Sequence, residues 1–254
     1  MLAQHRREQI KSLLDIEGSC IVTTVAVQFG VSEETVRRDL EILEKEGVCQ
    51  KTYGGAVAVG DRGEQPFLFR KKSHVAEKNL IGRLAAAEVK DGDRIMLDAS
   101  STALYIAKHL VTKKNLTVVT NSVEILVELS QVSGWHIYST GGTLNEGSLA
   151  LVGTKADKLI GEFHVDKAFI SCKGYDLKGG CTDSSEVHAC TKSAMLAAAD
   201  RTFLAADGSK FDKISFALIA PPDAFHTVIT NSLPAKAWQD YFAAAGVRLL
   251  VQDS

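Results

Sequence analysis

One pattern constrains the fold of this chain more than any other: short apolar runs, each followed at once by polar residues, recur from residue 94 onward. The runs are Arg94-Ile95-Met96-Leu97, Leu116-Thr117-Val118-Val119, His136-Ile137-Tyr138, Ala168-Phe169-Ile170-Ser171, Phe203-Leu204-Ala205-Ala206 and Thr227-Val228-Ile229. Successive apolar residues are what strands covered on both faces require. Segments with helical spacing between them, such as Ala103 to Leu110 and Val123 to Leu129, favour a mainly parallel sheet flanked by helices. The polar clusters that follow are Asp98, Thr120-Asn121-Ser122, Ser139-Thr140-Gly141-Gly142, Cys172-Lys173-Gly174, Asp207-Gly208-Ser209-Lys210 and Asn231. In an open parallel sheet these positions gather along the carboxyl edge, where ligands bind. Ser100-Ser101-Thr102 opens a helix there, and its free N–H groups, hydroxyls and dipole suit an anion. Any of Lys173, Lys192 and Lys210 that points inward would neutralise a ligand's charge, while Asp98, Glu186 and Asp207 would suit sugar hydroxyls.

The part in front of this sheet is small and helical. Ile10, Leu13, Leu14 and Ile16 follow helical spacing up to Gly18, which reads as a cap. Thr23 is placed to cap a short helix carrying Val25, Ala26 and Phe29, which ends at Gly30. Ser32 is placed to cap the next, from Glu33 to about Glu46. In that helix Val36, Leu40 and Leu43 form one stripe to be buried. Thr35, Arg37 and Arg38 then point elsewhere, near the half of a recognition helix that enters a major groove. Val48 to Val57 alternates around the pair Gly54-Gly55, as a hairpin does. A hairpin directly after such a helix is a wing, with Lys51, Tyr53 and Gly54 placed for contacts to the DNA backbone or minor groove. The domains predicted are 1–57 for the winged helix-turn-helix, 58–74 for a polar linker and 75–254 for the α/β domain.

Charge alone gives no support to nucleic-acid binding. The net charge is −2, and acidic residues outnumber basic ones before residue 56, so the expectation rests on where Arg37 and Arg38 stand. Hydrophobic and charged shares of 45% and 24% are ordinary globular values, and no apolar run is long enough to span a bilayer. The start of the chain, Met1-Leu2-Ala3-Gln4-His5-Arg6-Arg7, lacks a signal peptide's apolar core, so a cytoplasmic protein with no membrane partner is expected. Five cysteines with no Cys-x-x-Cys pair argue against a disulfide framework or a zinc ribbon, and neither metal nor cofactor is expected. Cys181, His188 and Cys190 are read as buried small groups rather than ligands.

The set Phe29-Gly30-Val31-Ser32, Thr35-Val36-Arg37-Arg38-Asp39-Leu40, Leu43, Gly47 and Tyr53-Gly54-Gly55-Ala56 resembles the DeoR family of bacterial sugar-catabolism regulators. The wing departs from that pattern, which usually carries Arg and His where this chain has Lys51 and Tyr53. The resemblance continues through Leu97 to Thr102, Val119 to Ser122, Gly141-Gly142-Thr143-Leu144, Glu186 with Lys192, and Asp207 to Phe211. It implies an effector domain similar in fold to ribose-5-phosphate isomerase, with Gly174-Tyr175-Asp176 and Asp207 to Lys210 standing for that fold's Gly-Ala-Asp and Asp-x-Ser-Lys elements. The Ala99-Ser100-Ser101 loop is similar to that of fucose-operon regulators. The expectation is therefore a DNA-binding regulator, in the first place a repressor of a carbohydrate catabolic operon controlled by a phosphorylated sugar. Its partners are a double-stranded operator, that effector and further copies of itself in a dimer or tetramer. Expected DNA contacts are Ser32, Thr35, Arg37, Arg38, Lys51, Tyr53 and Gly54. Expected effector contacts are Asp98, Ser100, Ser101, Thr102, Thr120, Asn121, Gly141, Gly142, Lys173, Gly174, Glu186, Lys192, Asp207 and Lys210. Three alternatives stand beside this reading. One is a transcriptional activator. Another is a sugar-phosphate isomerase or deaminase with Glu186 or Asp176 as base and Lys210 stabilising an enediolate. The third is an α/β domain that only assembles copies.

Overall fold

The computed structural model describes residues 2–17, 19–58 and 67–252. It divides into two compact units, Met1–Ser73 and His74–Ser254. Gly18, expected to cap the first helix, and the linker stretch Gly60 to Pro66 lie outside the described residues.

The first unit contains α1 (Ala3–Glu17), β1 (Ser19–Ile21), α2 (Val22–Phe29), α3 (Glu33–Lys45), β2 (Cys49–Thr52), β3 (Gly55–Ala58) and α4 (Phe67–Lys72). The predicted stripe Val36, Leu40 and Leu43 is buried against Ile10, Leu14, Val22, Val25, Cys49 and Ala56. Burial of each large apolar side chain contributes about 1.5–3 kcal/mol. Asp39 is buried too, and it ties α3 to α1 through Arg6 at 2.5 Å and Arg7 at 3.5 Å. Three sequence expectations need correction here. Thr23 does not cap α2: the helix begins at Val22 directly from β1, and the Val22 N–H donates to the Gly54 carbonyl at 2.8 Å, so a backbone group does the cap's work. The wing turns on Tyr53-Gly54 rather than on the glycine pair, with Gly54 at φ +98°. Gly55 already belongs to β3, which runs between β1 and β2; a Cβ on Gly55 would stand 2.0 Å from the Cys20 carbonyl oxygen, closer than any side chain can pack. Lastly, Phe67–Lys72 is helical within the segment expected to be linker, and Phe67 and Phe69 are buried.

The second unit runs α5 (Val75–Ala87), β4 (Arg94–Leu97), α6 (Ser101–Leu110), β5 (Thr117–Thr120), α7 (Val123–Leu129), β6 (His136–Ser139), β7 (Thr143–Asn145), β8 (Ala150–Val152), α8 (Thr154–Gly161) and β9 (Val165–Ile170). It continues with β10 (Gly174–Asp176), β11 (Gly180–Asp183), α9 (Glu186–Ala197), β12 (Ala199–Ala205), β13 (Ala217–Ala220), β14 (Thr227–Ile229), α10 (Lys236–Ala245) and β15 (Arg248–Leu250). Seven strands form one sheet in the order β15-β14-β12-β9-β4-β5-β6, and every neighbouring pair in it is parallel. From β4 the chain walks outward through β5 and β6, then returns to β9 on the other side of β4 and walks away through β12, β14 and β15. The order thus reverses between β4 and β9, the place where ligands lodge in open parallel sheets. Phe169 and Phe203 stack at 4.5 Å between neighbouring strands, inside a core of fully buried aliphatic residues.

The parallel sheet was legible in the apolar runs, whereas two smaller elements were not. The β7–β8 hairpin and the antiparallel sheet β10-β11-β13 are built from segments of three or four residues, too short to show a period of two.

Candidate functional site

On the first unit, Ser32 caps α3, its Oγ accepting from the Thr35 N–H at 3.3 Å and lying 2.9 Å from Thr35 Oγ1. Arg37 and Arg38 are exposed, and each leans on a glutamate of its own helix: Arg37 on Glu33 at 2.6 Å, Arg38 on Glu34 at 3.6 Å. Such exposed i,i+4 pairs contribute only about 0.3–0.5 kcal/mol, so a nucleic-acid oxygen can replace the glutamate at small cost. Lys51 is drawn onto α3, with Nζ 2.8 Å from Glu41 and its N–H donating to Glu44 at 2.7 Å. The hydrogen bond that the Lys51 ammonium donates to Glu41 raises its pKa above the ordinary lysine value. Tyr53 stands fully exposed at the wing tip beside Gly54.

On the second unit, the carboxyl edge collects the residues expected there, and at its centre sits a buried trio. Asp98 follows β4, and its Oδ1 accepts from the N–H of Ser100 at 3.2 Å and its hydroxyl at 2.6 Å. Its Oδ2 accepts from the Ser171 N–H at 3.1 Å and faces Lys192 Nζ at 3.2 Å. Lys192, from α9, also donates to the Ser171 carbonyl at 2.8 Å and to Asp183 at 2.5 Å. Burial by itself would raise the Asp183 carboxyl, but the Lys192 ammonium outweighs it and holds the group at about 2. Burial would likewise lower Lys192, yet Asp183 and Asp98 keep its ammonium well above the ordinary lysine value. Lys192 is thus committed to protein oxygens, where a ligand's charge had been the expected partner. Asp98 has no oxygen left over for a sugar hydroxyl. The structure brings both together with Asp183, which the sequence reading missed because nothing in Cys181-Thr182-Asp183-Ser184-Ser185 shows that β11 ends against α9.

Around this trio, Ser100 caps α6 by accepting from the Ala103 N–H at 3.0 Å, and Ser101 and Thr102 are buried in the first turn. Thr120 donates to the Leu97 carbonyl at 2.8 Å, and Asn121 binds the Leu151 carbonyl through Nδ2 at 3.1 Å. Gly141 and Gly142 form the exposed turn from β6 to β7, Lys173 is half-buried and Gly174 opens β10. Asp207 is buried, and its carboxylate accepts from the Ser209 N–H at 2.9 Å. Burial pushes that carboxyl up, but Lys210 and the Ser209 donors hold it below the ordinary value. Glu186 is exposed at the start of α9, three residues after Asp183. Among the described residues no group of three or more His, Cys, Asp or Glu is disposed to hold a metal ion, and no helix is long and apolar enough to cross a membrane.

A DeoR-like helix-turn-helix domain matches residues 6–61, and the DeoR C terminal sensor domain matches residues 73–232. The chain belongs to the DeoR family. This DeoR-family chain is 41% identical to the HTH-type transcriptional regulator YulB of Bacillus subtilis, over 91% of its own length and 90% of the relative's. It is 35% identical to the transcriptional repressor AccR of Agrobacterium fabrum, with 90% of each chain covered. It is also 35% identical to the transcriptional repressor GlcR of B. subtilis, with 98% and 97% covered. Among solved structures, ribose 5-phosphate isomerase from Methanocaldococcus jannaschii is similar at a TM-score of 0.40 and 18% identity, over 55% of each chain. The DeoR-family chain is therefore a helix-turn-helix transcriptional regulator, with a DNA-binding unit in front of a parallel α/β sensor domain.

Proposed function

We propose that this regulator represses a carbohydrate catabolic operon and releases its operator when a phosphorylated sugar binds at the carboxyl edge of the parallel sheet. The observation that carries the effector half is the opening of α6 at the strand-order reversal. Ser101 and Thr102 begin that helix, so their N–H groups have no acceptor within it and face the anion with the positive end of the helix dipole. Lys173 and Lys210 are the cations of this edge outside the buried trio. Asp98 and Lys192 act by shaping the loop, not by touching the ligand. In the DNA half, Thr35, Arg37 and Arg38 enter the major groove with Ser32 at the helix start. Lys51, Tyr53 and Gly54 bring the wing to the backbone or minor groove. The working form is a cytoplasmic dimer or tetramer, matching a two-fold operator.

Binding is favoured over turnover by Asp176, a base the enzymatic alternative would use. Its Oδ1 accepts from the N–H groups of Lys178 and Gly179 at 2.9 and 2.7 Å. These bonds, Gly179 first, hold the carboxyl below its ordinary value, the opposite of what a general base near neutral pH needs.

The test is a titration of the full-length protein on its own upstream region, with sugar phosphates added. Preference for that duplex over random DNA, weakened by at least one sugar phosphate and not by its unphosphorylated sugar, is the expected outcome. Arg37→Ala and Arg38→Ala should each cost roughly 1–3 kcal/mol of specific binding. Indifference to every sugar phosphate, or turnover of ribose 5-phosphate or glucosamine 6-phosphate, overturns the effector assignment. Unchanged operator affinity in both arginine variants overturns the DNA interface.

A further inference from the structure

Along the carboxyl edge, almost every buried polar side-chain atom has a partner within the protein. Asp98 spends both oxygens on Ser100, Ser171 and Lys192. Thr120 Oγ1 donates to the Leu97 carbonyl and accepts from the Ser122 N–H. Ser122 Oγ accepts from the Ile125 N–H. Among the described residues that directly follow the sheet's strands, two buried side-chain atoms have no partner, Thr230 Oγ1 after β14 and Asn121 Oδ1 after β5, and of these Asn121 Oδ1 is the one beside the loop that leads into α6. Asn121 is only 3% exposed.

The orientation of that amide is fixed by its surroundings. Nδ2 donates to the Leu151 carbonyl at 3.1 Å, while the Leu151 N–H donates to the Asn121 backbone carbonyl at 2.7 Å. Exchanging the amide's two ends would set oxygen against the Leu151 carbonyl, acceptor against acceptor. Oδ1 therefore stays as an acceptor in want of a donor. Its place is also defined. Leu97 pairs with Thr120 in the sheet, so Asn121 follows β5 where Asp98 follows β4. Ala99 packs with Ala150 and Val152, the residues on either side of Leu151. Asn121 thus lies where β8 meets the loop leading into α6, whose first turn offers the N–H groups of Ser101 and Thr102, which have no acceptor within that helix.

We propose that Asn121 Oδ1 accepts a hydrogen bond from a hydroxyl of the effector, making Asn121 a specificity determinant for a polyhydroxylated phosphate ester. The inference rests on the sugar-phosphate reading above and assigns one hydroxyl of that ligand. An unmet buried acceptor carries a desolvation penalty. A ligand hydroxyl removes it, and an analogue lacking that hydroxyl leaves it in place, so the site rejects the analogue.

The experiment is calorimetric titration of the full-length protein and of Asn121→Ala with ribose 5-phosphate, glucose 6-phosphate, fructose 6-phosphate, their monodeoxy analogues, and sulfate as a tetrahedral anion without hydroxyls. For a sugar phosphate that binds, one deoxy position should weaken the natural protein about tenfold or more, and the same position should change Asn121→Ala by less than about twofold. Sulfate should bind both proteins alike. If Asn121→Ala does not fold, Asn121→Ser, which also lacks the amide oxygen, takes its place in the same comparison. A sugar phosphate that binds while each deoxy position affects both proteins equally overturns the role of Asn121 and leaves the sensor reading standing. Failure of every sugar phosphate to bind, with operator binding intact, sinks the sensor reading and this inference with it.

Discussion

The side chains of Arg37 and Arg38 are 48% and 75% exposed on α3, while that of Lys192 in the sheet domain is 11% exposed between two aspartates. All three are cations in regions assigned to ligand recognition, yet they stand in opposite physical situations. The arginines keep weak, replaceable partners four residues away on their own helix, so their charge stays available to an incoming phosphate or guanine. The lysine has exchanged its availability for structure: it joins Asp98 after β4, the carbonyl after β9 and Asp183 at the end of β11. The difference teaches that a charge at a site can serve by reaching the ligand or by fixing the loop that does, and that burial decides between the two.

The comparison breaks most easily at Lys192. Lys192→Met should destabilise the sheet domain by about 3–5 kcal/mol, because two buried carboxylates lose their counter-ion; chemical denaturation followed by circular dichroism measures it. A variant as stable as the natural protein would show that the trio is not a lock. A smaller effect sharpens the same point through pH. The folded Asp183 carboxyl titrates at about 2, whereas an unfolded aspartate titrates near 3.9. Its contribution, about 2–3 kcal/mol, is complete above roughly pH 5 and is lost as the pH falls toward 2. Asp183→Asn should remove that part of the acid limb when unfolding free energy is measured between those values. Smallest is Ser32→Ala at the start of α3, where losing the cap should cost about 1 kcal/mol of thermal stability in the DNA-binding unit. That variant leaves the sheet domain's unfolding transition where it was.

Legibility in the sequence follows the same division. The exposed face of α3 could be read directly, because Val36, Leu40 and Leu43 fix which side of a 3.6-residue period is buried and Arg37 and Arg38 fall on the other. The carboxyl edge could be read as a place, because each polar cluster directly follows an apolar run. What each edge residue does there could not. Lys192 was expected to face a ligand, and its true partners come from 94 and 9 positions away along the chain. Asp183 carries no period or motif of its own. Asn121 was recognisable as an edge residue, but its unmatched oxygen emerges only when Leu151, in a hairpin that no periodicity announced, takes up the other end of the amide.

By itself, then, the order of residues determined the helix-turn-helix, the parallel sheet and the edge at which polar groups collect, since all three follow from local spacing of apolar and polar side chains. Only the folded molecule decided which of those polar groups remain available. Hydrogen bonds and ion pairs between residues far apart in the chain consume Asp98 and Lys192 and leave Asn121 Oδ1 unsatisfied, and such long-range pairings depend on the packing of whole strands rather than on any stretch of sequence.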